Sequence, residues 1–139
     1  MVIAIVVRIV GFALYGVCSG ETSLKPKELL VATGNAGKLR EIRALLSDLP
    51  ITLLSLADYP TIEEVAETGS TFAENGGLKA CGYARQAGVL TLADDSGLEI
   101  DALGGAPGVR SARYLSDHAS YADRMNALLT ALKDVRQDG

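Results

Sequence analysis

From Lys27 onward, short apolar runs alternate with amphipathic segments of helical period, and that alternation restricts the chain to an α/β domain. Glu28 to Thr33 reads as a buried strand, and Gly34-Asn35-Ala36-Gly37 as a turn whose glycines tolerate positive φ. Lys38 to Ser47 then reads as a helix with Leu39, Ile42, Leu45 and Leu46 on one face, stopped by Pro50. A second strand covers Ile51 to Leu56, and an acidic stretch from Asp58 to Glu67 leads to Gly69. Thr71-Phe72-Ala73-Glu74 has the form of a capping box, so a helix starts there. On it, Asn75 and Lys79 are four residues apart and share a face with Phe72 and Tyr83. Gly76 and Gly77 stand between them, each costing about 1 kcal/mol relative to Ala in a helix interior. Val89 to Ala93 is a third buried strand, ending in Asp94-Asp95-Ser96-Gly97, after which Leu98 to Asp101 alternates as a half-buried strand would. Gly104, Gly105, Pro107 and Gly108 make a loop. Ser120 opens a last helix whose Tyr121, Met125, Leu128, Leu129 and Leu132 read as core.

The 139 residues allow one such domain. With 13 Lys+Arg against 17 Asp+Glu the net charge is −4, and without a basic cluster there is no general electrostatic grip on nucleic acid. Any phosphate is bound locally. Two cysteines, Cys18 and Cys81, in unlike contexts exclude a disulfide scaffold, and the lone His118 excludes His-rich zinc chemistry.

Hydrophobicity is concentrated at the start, where Val2 to Val17 is interrupted by a single charge, Arg8. A bilayer span takes about 20 apolar residues. A secretory signal carries its positive charge ahead of the apolar run, whereas Arg8 follows Val2 to Val7. Residues 1–23 therefore read as an apolar extension, signal-like or a mis-assigned start, ahead of a domain over 24–139. The expected setting is cytoplasmic, without stable membrane association.

Three constellations can carry chemistry. In Thr33 to Lys38 a strand feeds a helix through glycines, which presents N–H groups and a positive dipole end to an anion, with Lys38 adding a full charge. The spacing from Gly34 to Gly37-Lys38 is too short for a Walker A loop, and Leu39 stands where that loop has Ser or Thr. A plain βα turn with a solvated lysine is the simpler alternative.

The second is Asp94-Asp95, two adjacent carboxylates at the end of an apolar strand, whose repulsion a cation relieves; Mg²⁺ is the natural choice. Adjacent strand residues point oppositely, so one of the pair is expected to reach a ligand directly. An acidic turn, or the phosphoacceptor Asp of a receiver domain, fits the same position. The third is Glu63, Glu64 and Glu67 ahead of the helix bearing Lys79, where a carboxylate beside a lysine suits a metal and its phosphate ligand; Glu63 and Glu64 themselves read as solvated.

Taken together, the motifs closely resemble the inosine triphosphate pyrophosphatases, also described as XTP/dITP diphosphatases. They are Ala32-Thr33-Gly34-Asn35-Ala36-Gly37-Lys38, Glu67-Thr68-Gly69 with Thr71-Phe72-Ala73-Glu74-Asn75 and Lys79-Ala80, Ala93-Asp94-Asp95-Ser96-Gly97-Leu98, and Gly105-Ala106-Pro107-Gly108-Val109 with Ser111-Ala112-Arg113-Tyr114. The resemblance runs from about Leu29 to near the C-terminus. It implies an α/β fold with a mixed sheet flanked by helices, and a homodimer that converts ITP, dITP or XTP to monophosphate and pyrophosphate with Mg²⁺. Thr33, Gly34, Asn35, Ala36, Gly37 and Lys38 would hold the triphosphate, and Ser96 would contact substrate. Asp95 would be the general base and a metal ligand with Glu67, and Lys79 would neutralise developing charge. The family's later purine-recognising segments have no counterpart before Gly139, so the resemblance implies a domain lacking part of its C-terminal lobe and impaired hydrolysis. A catalytically inactive fragment with a partial triphosphate site or a dimerisation role is the alternative.

Overall fold

Leu29, Leu30, Val31 and Ala32 are four consecutive buried residues within one strand, which is therefore covered on both faces. The computed structural model describes the backbone of residues 5–15 and 27–137 and the side chains of residues 28–135. Four strands form one sheet in the order β1 (Ile5–Tyr15), β4 (Leu90–Ile100), β2 (Lys27–Ala32) and β3 (Ile51–Ser55). The central strand β2 runs parallel to both described neighbours. Lys27 lies opposite Ile51 and Val31 opposite Ser55 on one side, and Leu29 lies opposite Leu90 and Ala32 opposite Ala93 on the other. Parallel pairs need crossovers, and α1 (Ala36–Leu45) and α2 (Phe72–Ala87) supply them. The fold class is α/β. Strand β1 falls within the stretch that the sequence sets apart as an extension, and the boundary between residues 23 and 24 lies outside the described residues. Among the described residues, no helix is long and apolar enough to cross a membrane.

The chain divides into two compact units, residues 10–95 and residues 1–9 with 96–139. The core of the first is Leu30, Ala32, Ala80, Tyr83 and Ala93, packed against Leu54, Leu56, Tyr59, Ile62 and Val65. Helix α2 thus lies on β2. Glycine at position 88, with φ 71°, closes the helix in the left-handed conformation that ends helices at low cost. The second unit is knit by Ser111, whose Oγ accepts the Leu98 N–H at 2.8 Å and donates to the Gly108 carbonyl at 2.6 Å. Its helix α3 (Tyr121–Gln137) is opened by Ser120, which exchanges hydrogen bonds with Asp123, and buries Leu128.

Four local expectations are corrected. Helix α1 begins at Ala36 rather than Lys38, because the Asn35 side chain accepts the N–H groups of Gly37 and Lys38 and so caps the helix two residues early. Its apolar face is narrower than the spacing suggests: Ile42 is buried, whereas Leu45 is 82% exposed. In α3, Leu129 and Tyr121 are exposed and outside the core; Leu129 is rotated about 100° from its buried neighbour Leu128, and Tyr121 stands at the helix's first residue. Finally, Asp94 to Gly97 does not end a strand. One strand runs through it from Leu90 to Ile100.

Candidate active site

Asp94 and Asp95 sit at the centre of β4, both buried, and being adjacent on a strand they point to opposite faces. Burying two neighbouring carboxylates is costly unless each finds a cation. Each does, from a different helix. The Asp94 carboxylate is hydrogen-bonded to Nζ of Lys38 from the first turn of α1. Asp95 Oδ1 lies 3.6 Å from Nζ of Lys79, from the middle of α2. The sequence already gives the physical reason for expecting opposite faces; Lys38 as the partner of Asp94 was not legible in it, since the two are 56 residues apart.

Lys79 has a second and closer partner, Glu67, whose Oε1 is 2.8 Å from Nζ. The Lys79 side chain is only 15% exposed, so this is a largely desolvated cluster of one cation and two carboxylates, with formal charge 1 − 2 = −1. Within it, Asp95 Oδ2 is buried and accepts no hydrogen bond among the described residues. A buried carboxylate oxygen left without a donor is costly. A hard cation bound to that oxygen would remove the cost. No group of three or more His, Cys, Asp or Glu gathers into a metal cage among the described residues. Mg²⁺ does not need one, because one or two carboxylates together with substrate phosphates suffice. The residues present fit that ion.

The turn from Thr33 to Lys38 lies at the C-terminal end of β2, where parallel α/β sheets bind ligands. Its amides are not as open as the glycine pattern suggests. Thr33 Oγ1 accepts the Asn35 N–H at 3.2 Å, and Asn35 Oδ1 accepts the Gly37 and Lys38 N–H groups at 2.9 and 3.1 Å. The side chain that caps the helix thus occupies donors that the sequence assigned to an anion. Gly34 and Ala36 are exposed, and Lys38 places its charge at the edge of the turn. Ser96 follows Asp95 on β4 and is half-buried; it opens the other compact unit. Glu63 and Glu64 are exposed, as their reading as a solvated stretch requires.

The capping box of α2 is formed as its sequence predicts. Thr71 Oγ1 accepts the Glu74 N–H at 3.1 Å, and the Glu74 carboxylate accepts from Ser70 and Thr71. Bonds from the Ser70 hydroxyl and then its amide hold the Glu74 carboxyl below its ordinary value of 4.5.

Comparison with known proteins bears on this geometry. A model of the Ham1 family matches residues 29–139. The chain is 49% identical over 112 residues to a dITP/XTP pyrophosphatase of Vibrio cholerae, covering 81% of this chain and 56% of that protein. It is 54% identical over 107 residues to a dITP/XTP pyrophosphatase of Geobacter sulfurreducens, covering 77% of this chain and 54% of that protein. Among solved structures, a HAM1 protein from Coxiella burnetii superposes with a TM-score of 0.73 at 43% identity, over 78% of this chain and 55% of that one. The chain spans little more than half the length of these relatives.

Proposed function

This chain belongs to the Ham1 family, and we propose that it acts on dITP, ITP and XTP, releasing pyrophosphate and the nucleoside monophosphate with Mg²⁺. The observation that carries the reading is the cluster around Lys79, where Glu67 and Asp95 meet one lysine and Asp95 keeps a buried oxygen without a donor. The names of the relatives supply the substrate class.

Hydrolysis breaks the bond between the α-phosphoryl group and the pyrophosphate and adds water across it. In this reading Asp95 accepts a proton from the attacking water, a general-base role for which its buried oxygen, accepting no hydrogen bond among the described residues, leaves a lone pair open. Lys79 holds negative charge that grows on the phosphoryl oxygens, and being largely buried it does so with little solvent screening. Glu67 fixes Lys79 and offers a second oxygen to the metal side of the cluster. Lys38 and the exposed edge of the Thr33 to Lys38 turn grip the distal phosphates, with Ser96 as a further substrate contact. Asp94 keeps Lys38 oriented. When bound, Mg²⁺ would supply Lewis-acid stabilisation of phosphate oxygens and a more acidic water. Homodimeric assembly and a cytoplasmic setting belong to the same proposal.

The test is pyrophosphate release from dITP and XTP, measured with Mg²⁺ and with EDTA, on this chain and on its Asp95→Asn variant. Release that requires Mg²⁺ and is lost in the variant is the expected result. Release that is indifferent to both would overturn the proposal.

A further inference from the structure

Glu67 reaches Lys79 from a segment with no regular secondary structure, residues 59–70, yet it is one of the two carboxylates on which the proposed site depends. What holds it there is a series of contacts between every second residue of that segment and successive turns of α2. The Glu63 N–H donates to Gln86 Oε1 at 2.8 Å, and Gln86 Nε2 donates back to the Glu63 carbonyl at 3.0 Å. Next, the Val65 N–H donates to the Tyr83 hydroxyl at 3.4 Å, and the Val65 side chain lies over Gly82 so closely that a Cβ there would be 2.7 Å from Val65 Cγ2. Glu67 meets Lys79. The Gly69 N–H then donates to Oδ1 of the buried Asn75 at 2.7 Å. Steps of two along the strap are those of extended chain, and their partners climb the helix by three or four residues at a time, so the two run antiparallel in register.

We infer that this strap is a positioning device for the metal side of the site, and that Asn75, by accepting the Gly69 N–H, sets the Glu67 carboxylate against Lys79. The inference rests on the functional reading above. Asn75 is a positioning residue, since it touches neither substrate nor metal in that reading. Two contacts flank Glu67, Val65 on one side and Gly69 on the other, and the one at Gly69 involves a fully buried amide side chain with one acceptor oxygen already aimed. Gly69 must lack a Cβ, because one would lie 2.7 Å from Asn75 Oδ1 and 2.7 Å from Glu74 Cβ. Groups that orient a metal ligand typically matter about 10- to 100-fold in metal affinity.

The experiment measures Mn²⁺ affinity by electron paramagnetic resonance, in the presence of dITP, together with amide hydrogen exchange at Gly69, on the full 139-residue chain. Glu67→Gln sets the size of the effect of losing the carboxylate. Asn75→Ala should speed Gly69 exchange and weaken Mn²⁺ about tenfold or more, approaching the Glu67→Gln value. Gly69→Ala, which leaves Asn75 in place and displaces the strap, should do the same, and it decides the matter if Asn75→Ala does not fold. Tyr83→Phe, at the longer contact, should weaken Mn²⁺ by no more than about threefold. If Glu67→Gln weakens Mn²⁺ while Asn75→Ala and Gly69→Ala bind it normally, the positioning role is overturned and the site stands. If Glu67→Gln itself binds Mn²⁺ normally, the reading of the site fails, and this inference with it.

Discussion

Helix α1 carries Lys38 and buries only Ile42, whereas α2 carries Lys79 and buries Phe72, Asn75, Gly76, Ala80, Tyr83 and Ala84. The first is fastened mainly at its N-terminal turn, by the Asn35 cap and by Lys38 on Asp94. The second is fastened along its length, to β2 beneath and to the strap beside it. Their lysines differ accordingly. The Lys38 side chain is 33% exposed at a turn, and the Lys79 side chain is 15% exposed between two carboxylates. A centre that stabilises charge developing in a reaction gains most from fixed, desolvated groups. A group that only grips an incoming anion does not need that rigidity. In the proposed function, the contrast therefore goes with chemistry on the α2 side and capture on the α1 side.

The largest expected effect tests that division. Asp95→Asn, which removes charge and basicity at nearly constant shape, should lower kcat about 10²- to 10⁴-fold. Lys38→Met should act mainly by raising KM with a smaller change in kcat, as loss of a ground-state contact does. Steady-state kinetics on the two variants would break the comparison if Lys38→Met proved the more damaging to kcat.

Stability offers a sharper contrast inside α2 itself. A Cβ at Gly82 would meet Val65 Cγ2 at 2.7 Å and Cγ1 at 2.9 Å, so Gly82→Ala should destabilise by about 1–3 kcal/mol. At Gly77 nothing lies within 4 Å of the added atom, and Gly77→Ala should stabilise by about 1 kcal/mol by removing unfolded-state entropy. Urea denaturation of both variants checks the opposite signs. On α1, Asn35→Ala should cost about 1 kcal/mol for the lost cap, while Leu45→Ser, at an 82% exposed position, should fall within about 0.5 kcal/mol of neutral.

The smallest effect lies on the acid side. Hydrogen bonds from the Ser70 hydroxyl and amide lower the Glu74 carboxyl from 4.5, and those from the Ser55 amide and hydroxyl lower Asp58 from 3.8. A carboxylate lowered by folding contributes stability that is fully present above its unfolded value and is lost as pH falls through its folded value. Stability should therefore decline as pH drops below about 4.5, with only a minor share from each of these exposed groups. Ser70→Ala should return the Glu74 titration, followed by NMR, toward 4.5.

Local grammar made much of this legible. Thr71 and Glu74 announced the start of α2 because a capping box is written in four consecutive residues. The face shared by Phe72, Asn75, Lys79 and Tyr83 followed from a period of 3.6. The motifs around Lys38, Glu67, Lys79 and Asp95 were equally visible. The strap was not, since Gln86 on Glu63 and Asn75 on Gly69 join an irregular segment to a helix, and no periodicity in either segment encodes the register between them. The need for glycine at position 82 is equally a tertiary fact, because it comes from Val65 lying on the helix there. The exposure of Leu45 and Leu129 is likewise a tertiary fact, because a helical stripe shows which residues can face a core and not how wide that core is.

The central claim is that the Lys79 cluster takes Mg²⁺ together with a nucleoside triphosphate through the buried oxygen of Asp95. Calorimetry of dITP binding, with Mg²⁺ and with EDTA, on the unaltered chain and on Asp95→Asn, measures it most directly. Tighter dITP binding with Mg²⁺ in the unaltered chain, and little or no such gain in the variant, is the expected result. Equal affinity with Mg²⁺ and with EDTA in the unaltered chain, or a gain that survives Asp95→Asn intact, would contradict it.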